Sequence, residues 1–340
     1  MSIKPVKVGI LGYGHYMRIT FTPAFKKCSS LEVAGVYNRG EPRRKLAEED
    51  GYFATSSLDE LLAIPGLEGV VIGTANAAHK YLTLKCAAAG KHIICEKPLA
   101  LGMDDVNEMV GAVKKADLIT HVNYSGIYNP PMVKFQELIP EKAGVILHFW
   151  QRNSRNFGLW SQGARHGAVG NPEDSGGWTF HHECHFLNNA CRIVGSKAVK
   201  VYHTIQKSCK EAPSEEIVNT IIHFENGATA CLADGLTIGG FCDMGAFGTM
   251  GDLRLLGNTI TSVTPGESDP LQRPGNLSPV VEKIEVTDKG KSLITVGHKF
   301  AEAIRGGQND LLSFETVAQQ YKILYAMKKS GETGEVVEIK

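Results

Sequence analysis

The sequence predicts an α/β fold followed by an α+β fold: an N-terminal doubly wound parallel sheet, then a C-terminal, mostly antiparallel open sheet with helices. Three observations predict it. Apolar strand-like and helix-like segments alternate through residues 1–125. A glycine turn, Gly12-Tyr13-Gly14, follows the first apolar run. Beyond about Pro130 the alternation stops, and strand-like runs succeed one another with few helices between them. Single cores divide beyond roughly 250–300 residues, so a chain of 340 is read as two domains. They are 1–125 and 126–340, the final helix packing back toward the first.

In order, Val6–Leu11 is a short apolar strand leading into the glycines and a helical stretch that ends near Cys28. Leu31–Tyr37 is a second strand, and Pro42–Asp50 a charged helix closed by Gly51. Gly69–Thr74 (GVVIGT) reads as a buried strand and Ala77–Ala89 as a helix stopped by Gly90. Strand Lys91–Cys95, helix Met103–Ala116 and strand Leu118–Asn123 complete the series. Such alternation implies right-handed crossovers and a parallel sheet. In the second half, Val145–Gln151, Ala198–Ile205, Ile217–Phe224, Ala228–Leu236 and Phe241–Phe247 are strand-like, with Asn226-Gly227 as a hairpin signal. A long helix, Trp178–Val194, is inserted among them, Leu312–Lys329 is a closing helix, and Ser268–Pro279 is a surface loop or linker.

Composition narrows the function classes. Basic and acidic residues number 36 each, so no basic field exists to collect phosphate backbones, and nucleic acid is excluded as a partner. Hydrophobic content of 43% and charged content of 21% are those of a soluble globular protein. The N-terminus lacks the pattern of a secretory signal, and no apolar run approaches the ~20 residues that span a bilayer. Eight scattered cysteines without a Cys-x-x-Cys pair read as buried thiols in a reducing cytoplasm.

Gly12 and Gly14 lie where a strand hands over to a helix, the place where a dinucleotide pyrophosphate meets backbone N–H groups and the positive helix end. The flanking Tyr13, His15 and Tyr16 belong to the same turn, and Met17 occupies the third glycine position of G-x-G-x-x-G. At the end of the second strand, Asn38-Arg39 replaces the acidic residue that would bind the adenosine ribose, with Arg43 and Arg44 following. Arginines there suit a 2′-phosphate, which favours NADP over NAD as the cofactor.

CEKPLA at 95–100, after GTANAAHKYLTLKCAAAGKHII, resembles the hallmark of the Gfo/Idh/MocA oxidoreductases, the glucose–fructose oxidoreductase and inositol dehydrogenase family. The resemblance runs through the glycine turn, His79, Glu96-Lys97-Pro98, Asn129-Pro130, the strand at 144–151 and the glycine-led helix at 176–188. It implies an NAD(P)-binding Rossmann domain whose cofactor edge includes Thr74, Asn76, His79 and Glu96. It also implies a C-terminal sheet used for homodimer or homotetramer formation, and a sugar or cyclitol reacting at a secondary hydroxyl. Chemically, alcohol oxidation needs a hydride acceptor, a base, and positive charge near the developing alkoxide; Lys97 after a central strand supplies the last. Glu96 would hold the nicotinamide ribose.

The stretch GGWTFHHECHFLN at 176–188 concentrates three histidines. A helix capped by Asp174 or Ser175 would align Trp178, His181, His185, Asn188 and Arg192 in one polar stripe lining a cleft. By the resemblance, His185 takes the general-base or relay role and His181 stands where the family has aspartate. His181 still bonds a hydroxyl or relays a proton, so Lys97, His185 and His181 are the catalytic candidates. Tyr124, Arg152, Trp178 and His182, with Lys97 and His185, are candidate substrate contacts. Ser125 and Tyr128 are further pocket candidates, and Trp160 is an alternative sugar-stacking residue. The loop arginines Arg152, Arg155 and Arg165, with His166, suggest an anionic sugar, although a solvated loop would carry the same residues. A zinc shared by His181, His185 and Cys184 or Glu183 is the competing reading; His-Glu-x-x-His fails because Phe186 takes the second histidine's place, and no metal is assigned. Two other functions stay open: an NAD-dependent glycoside hydrolase working by transient ring oxidation, and a non-catalytic nucleotide-binding regulator.

Overall fold

The computed structural model describes residues 4–164, 171–237, 239–266, 278–288 and 290–340. They fall into two compact units, Met1–Tyr128 with Gly290–Gln319, and Asn129–Lys289 with Gln320–Lys340. The division follows Tyr128 rather than residue 125, and a late segment returns to the first unit.

In the first unit, β1 (Val6–Leu11) is followed by a π-helical turn (Met17–Phe21) and α1 (Thr22–Lys26). Then come β2 (Leu31–Tyr37), α2 (Glu41–Glu49), β3 (Ala54–Thr55), α3 (Leu58–Leu62) and β4 (Leu67–Ile72). The series closes with α4 (His79–Ala88), β5 (His92–Cys95), α5 (Met103–Lys115) and β6 (Thr120–Val122). The strands form one sheet in the order β3-β2-β1-β4-β5-β6, every pairing parallel. Covered on both faces, its central strands are apolar at consecutive positions: Val70, Val71 and Ile72, and Ile93, Ile94 and Cys95, are all 0% exposed.

In the second unit, α6 (Pro130–Leu138) leads to β7 (Ile146–Asn156), and α7 (Pro172–Ser175) precedes a π turn (Thr179–Glu183) and α8 (Cys184–Val194). The sheet continues with β8 (Ala198–Gln206), β9 (Ile217–Phe224), β10 (Thr229–Thr237), β11 (Phe241–Gly248) and β12 (Asp252–Leu256). β13 (Thr259–Pro265) and β14 (Pro279–Glu285) follow. Helix α9 (Ser292–Ile304) lies in the segment that returns to the first unit, and α10 (Phe314–Thr333) leads to β15 (Val337–Glu338). The nine strands run in the order β14-β13-β12-β11-β7-β10-β9-β8-β15, antiparallel except for β7 beside β10. Val218, Thr220, Ile222 and Phe224 alternate inward along β9, as period-two patterning requires. The Asn226-Gly227 signal does join β9 to β10: Gly227 has φ +87° and Asn226 Oδ1 accepts the Ala228 N–H at 3.1 Å. Residues 268–277 of the expected loop lie outside the described residues, and Pro279 already belongs to β14. Among the described residues, no helix is long and apolar enough to cross a membrane.

Met17, in the third glycine position, is accommodated from the opposite side. A Cβ on Gly73 would lie 2.2 Å from Met17 Sδ, so the glycine that permits close packing stands after β4 instead of in the turn. Met17 is 1% exposed and has nowhere to retreat. Gly73→Ala should therefore lower stability by about 1–3 kcal/mol through overpacking. Met17→Ala in the same chain should recover part of the loss, read as positive coupling in a denaturant-unfolding double-mutant cycle. Strict additivity would show that the two residues do not compete for that space.

Candidate active site

In the first unit, four parallel strands end level. Gly12 N–H donates to Tyr37 O (2.8 Å), Gly73 to Leu11 O (2.8 Å), Glu96 to Ile72 O (2.9 Å) and Asn123 to Cys95 O (2.8 Å). β1 and β4 are neighbours whose chains leave in opposite directions, which makes this edge the topological switch point of the sheet. Gly12 has φ +93°, and a Cβ there would lie 2.8 Å from both Gly73 O and Thr74 Cγ2. A Cβ on Gly14 would meet nothing within 4 Å, so the backbone lies open for close approach. Tyr13 offers only its backbone: its phenol is buried and donates to Asp50 Oδ2 (2.9 Å), which Arg18 grips at 2.7 and 2.9 Å. Burial and the hydrogen bond to Asp50 push the Tyr13 pKa up, while the Arg18 guanidinium holds that of Asp50 down. His15 and Tyr16 are exposed where the helical segment begins.

At the end of β2, Asn38 Oδ1 accepts the Gly40 N–H at 3.0 Å, and Arg44 Nη1 donates to the Asn38 and Arg39 carbonyls at 2.9 and 2.7 Å. Arg44 thus fastens the loop, while Arg39 and Arg43 remain exposed.

At the end of β5, Glu96 Oε1 accepts from Asn123 Nδ2 at 2.5 Å, and the Lys97-Pro98 peptide is cis. Burial pushes the Glu96 carboxyl up to about 7, against the downward pull of Asn123 and Lys97. Tyr16 is 45% exposed, yet partial burial and then the nearby Glu96 charge raise its phenol to about 12. Asn123 was not singled out by sequence; its signal was its place as the last residue of a strand that ends level with Glu96. Thr74 and Asn76 are half-buried beyond β4. Two assignments change here. His79 is 0% exposed, with Nδ1 3.0 Å from Pro98 O and Nε2 3.3 Å from Thr74 O; a neutral imidazole donates its single N–H to one of these carbonyls and packs against the other, a buried link between two loops. Burial lowers its pKa. Tyr124 is 1% exposed, so its side chain is buried rather than open to solvent.

In the second unit, the histidine helix begins as a π turn, with Cys184 N–H reaching Thr179 O. The residue capping its start is Glu215, whose Oε1 accepts the Thr179 N–H at 2.9 Å; Ser175 Oγ takes the Gly177 N–H instead. Gly177 (φ +82°) is required there, because a Cβ would lie 2.6 Å from the Glu215 carboxylate. The expected stripe is exposed only in part. His181 and His185 are half-exposed, four residues apart, but Trp178 and Asn188 are buried, Asn188 Oδ1 accepting from Gln320 Nε2 (2.9 Å).

Trp178 packs with Val218 and Leu236 and lies flat on His182 (ring centroids 4.6 Å, 12°), which leaves that face closed to a sugar. His182 bonds through Nδ1 to Asp234, and its Nε2 accepts from Arg155 Nη2 and Nε at 2.7 and 3.1 Å. It is a link in a chain rather than a substrate contact. Arg152 sits on the other face of the sheet, because β7 residues alternate. It pairs with Asp243 at 3.0 and 2.8 Å beside Arg254, so it is withdrawn as a substrate contact. Asp234, missed by sequence, was visible only as a lone carboxylate inside an apolar strand. Trp160 is half-buried, its backbone N–H given to Glu216 (2.6 Å); Arg165 and His166 lie outside the described residues.

The zinc reading loses its ligands. Glu183 and Cys184 face inward, Glu183 Oε1 accepting from Thr220 Oγ1 at 2.5 Å, and no three His, Cys, Asp or Glu side chains gather as a metal set among the described residues. Burial raises the Glu183 carboxyl well above its usual range, and burial lowers neighbouring His203 to about 4. His203 Nδ1 is 3.7 Å from Glu183 Oε2 and 2.8 Å from Thr220 Oγ1.

The two groups act on stability with opposite sign. A depressed His203 makes stability rise with pH between about 4 and its unfolded value near 6.5. A raised Glu183 makes stability fall with pH from its unfolded value of 4.5 upward, so the two offset until His203 stops contributing. Between about 6.5 and 7 the raised Glu96 adds to the fall; above about 7 Glu183 is the raised carboxyl that still contributes, with a slope of up to ~1.4 kcal/mol per pH unit. Urea unfolding of Glu183→Gln between pH 7 and 9 should show a shallower slope than the native chain; an unchanged slope would place the titration elsewhere.

Residues 6–124 match the family described as "Oxidoreductase family, NAD-binding Rossmann fold". The 1,5-anhydro-D-fructose reductase of Ensifer adhaerens is 31% identical over 117 residues, 34% of this chain and 35% of that protein. The 2,7-anhydro-N-acetylneuraminate hydratase of Escherichia coli K12 is 28% identical over 190 residues, 56% of this chain and 50% of that protein. These matches thus span a third to a half of the relatives' own lengths. A levoglucosan dehydrogenase solved with NADH and levoglucosan superposes with a TM-score of 0.84, covering 99% of this chain and 100% of that one at 20% identity, a likeness of fold. The family match, the level strand ends and the Glu96-Lys97-Pro98 turn agree: residues 6–124 are similar to the NAD-binding Rossmann domain of the Gfo/Idh/MocA oxidoreductases.

Proposed function

We propose that the protein is an NAD(P)-dependent oxidoreductase that moves a hydride between nicotinamide and a secondary hydroxyl of a sugar or cyclitol. The observation that carries this reading is the Glu96-Lys97-Pro98 turn at the switch-point edge, its carboxylate braced by Asn123. The residues present fit a dinucleotide. Gly12 excludes a Cβ, Gly14 leaves the backbone open, and exposed Arg39 and Arg43 suit a 2′-phosphate, which supports NADP over NAD. Glu96 would accept hydrogen bonds from the nicotinamide ribose. When bound, the nicotinamide supplies the hydride acceptor or donor. Lys97 donates hydrogen bonds to the carbinol oxygen and stabilises negative charge as it develops. His185 takes or returns the hydroxyl proton, with His181 bonding a neighbouring hydroxyl.

One observation favours a second reading. A hydratase acting on an anhydro sugar is among the relatives, and His181 stands where the family has a fixed carboxylate. Transient ring oxidation followed by elimination, water addition and re-reduction would use the same residues. Net NAD(P)H formation means dehydrogenase; cleavage without accumulated reduced cofactor means the redox-neutral cycle.

Lys97→Met should lower kcat/KM by roughly 10²–10⁴-fold while leaving dinucleotide affinity nearly unchanged. Full activity in that variant would remove Lys97 from the chemistry.

We also propose a homo-oligomer through the sheet face opposite α8. That face carries Trp150, His148 and Phe247 in one aromatic cluster, with Phe247, Ile221 and Tyr202 46%, 41% and 37% exposed. Contiguous apolar surface of this kind marks association. Light scattering should find a dimer or tetramer for the native chain and a smaller species for Phe247→Glu. A monomeric native chain would rule it out.

A further inference from the structure

We propose that Arg155 is a specificity-determining residue that selects substrates bearing a carboxylate. This rests on the reading above, in which the second unit binds the sugar.

The argument starts from strand parity. Arg155 is three residues beyond Arg152 on β7, so it projects to the opposite face, toward the histidine helix. There Nε and Nη2 donate to His182 Nε2 at 3.1 and 2.7 Å. Because His182 accepts at Nε2, its proton sits on Nδ1 and goes to Asp234. The other oxygen of Asp234 accepts from Asn153 Nδ2 at 2.8 Å. Trp178 covers the imidazole face. Everything that holds the guanidinium is buried (His182 8%, Asp234 2%, Trp178 1%), while Arg155 itself is exposed.

A merely structural arginine would be expected to meet a carboxylate directly, as Arg152 meets Asp243. Arg155 meets a neutral imidazole, and the carboxylate behind that ring, Asp234, is already satisfied twice. Of five guanidinium N–H groups two serve His182, so the Nη1/Nη2 end retains a parallel pair of donors, the geometry that binds a carboxylate bidentately. The side chain is ordered before any ligand arrives, which reduces the entropy lost on binding. The His185 ring lies 5.7 Å from the same imidazole, so an anion on Arg155 and a hydroxyl at His185 flank one side chain.

The test uses the full chain loaded with NADP⁺ or NAD⁺. D-Glucuronate, D-galacturonate and D-gluconate are titrated by calorimetry against D-glucose and D-galactose, with turnover followed by nicotinamide absorbance. The native protein should bind at least one acid more tightly than its neutral parent. Arg155→Gln should weaken that acid roughly 10–100-fold, leave neutral sugars unaffected, and preserve dinucleotide affinity. Arg155→Lys, keeping the charge without the fork, should fall between. Equal binding of acid and parent, binding of no acid, or equal loss for both classes in Arg155→Gln overturns the proposal. Absence of turnover with every compound, and indifference to Lys97→Met, would instead overturn the oxidoreductase reading; the binding titration judges Arg155 either way.

Discussion

The first unit depends on main chains approaching closely at the carboxyl edge of a parallel sheet. Gly12 lies against Gly73 and Thr74 with no room for a Cβ, and that contact brings the ends of β1 and β4 level with those of β5 and β6. Backbone donors, Glu96 and Asn123 are thereby set along one edge. The close approach also explains why the third glycine of the turn is dispensable. The helical segment packs through Met17 because β4 yields space at Gly73, so one contact satisfies the packing that a glycine in the turn would otherwise serve. What the motif encodes is a distance between backbones, and either side can concede it.

The first unit was legible because buried parallel strands carry unbroken apolar runs and glycine-stopped helices separate them. The strands at 6–11, 31–37 and 91–95, the turn between them and the Glu-Lys-Pro motif all follow from local residues. What escaped was short or non-local: β3 with two residues, α3 with five, and α9, whose place in the first unit depends on Gly297 meeting Cys28 and Leu31 far away in sequence. In the second unit the hairpin and five strands were readable from period-two patterning. β12–β14 were not assigned, and β14 is exposed along nearly its whole length.

The site was less legible than the fold for two geometric reasons. A helical stripe drawn at 3.6 residues per turn assumes one helix type, and the π turn at 179–183 inserts a residue where the stripe begins. Trp178, before that turn, packs into the interior, and Asn188, inside the regular α8, is drawn inward by the long-range hydrogen bond from Gln320. The second reason is cross-chain capture. His79 between two carbonyls and His182 between Asp234 and Arg155 look like reactive histidines in sequence, because most of their partners stand 19 to 52 residues away.

Charge placement in the second unit follows one rule, that a buried carboxylate must be protonated or satisfied. Glu183 takes the first course: burial keeps it neutral beside Thr220 and a neutral His203. Asp234 takes the second, accepting from Asn153 and His182. Asp243 does the same on the opposite face, held by Arg152 and Arg254. Two arginines three residues apart on β7 thus meet different fates. Arg152 neutralises a buried acid at once, whereas Arg155 reaches one only through an uncharged ring. Parity alone separates them, since moving either by one position would put both on the same face. The strand therefore spends one cation on folding and keeps the other oriented and exposed beside the histidines, an asymmetry that composition cannot reveal because both residues count equally toward a net charge of zero.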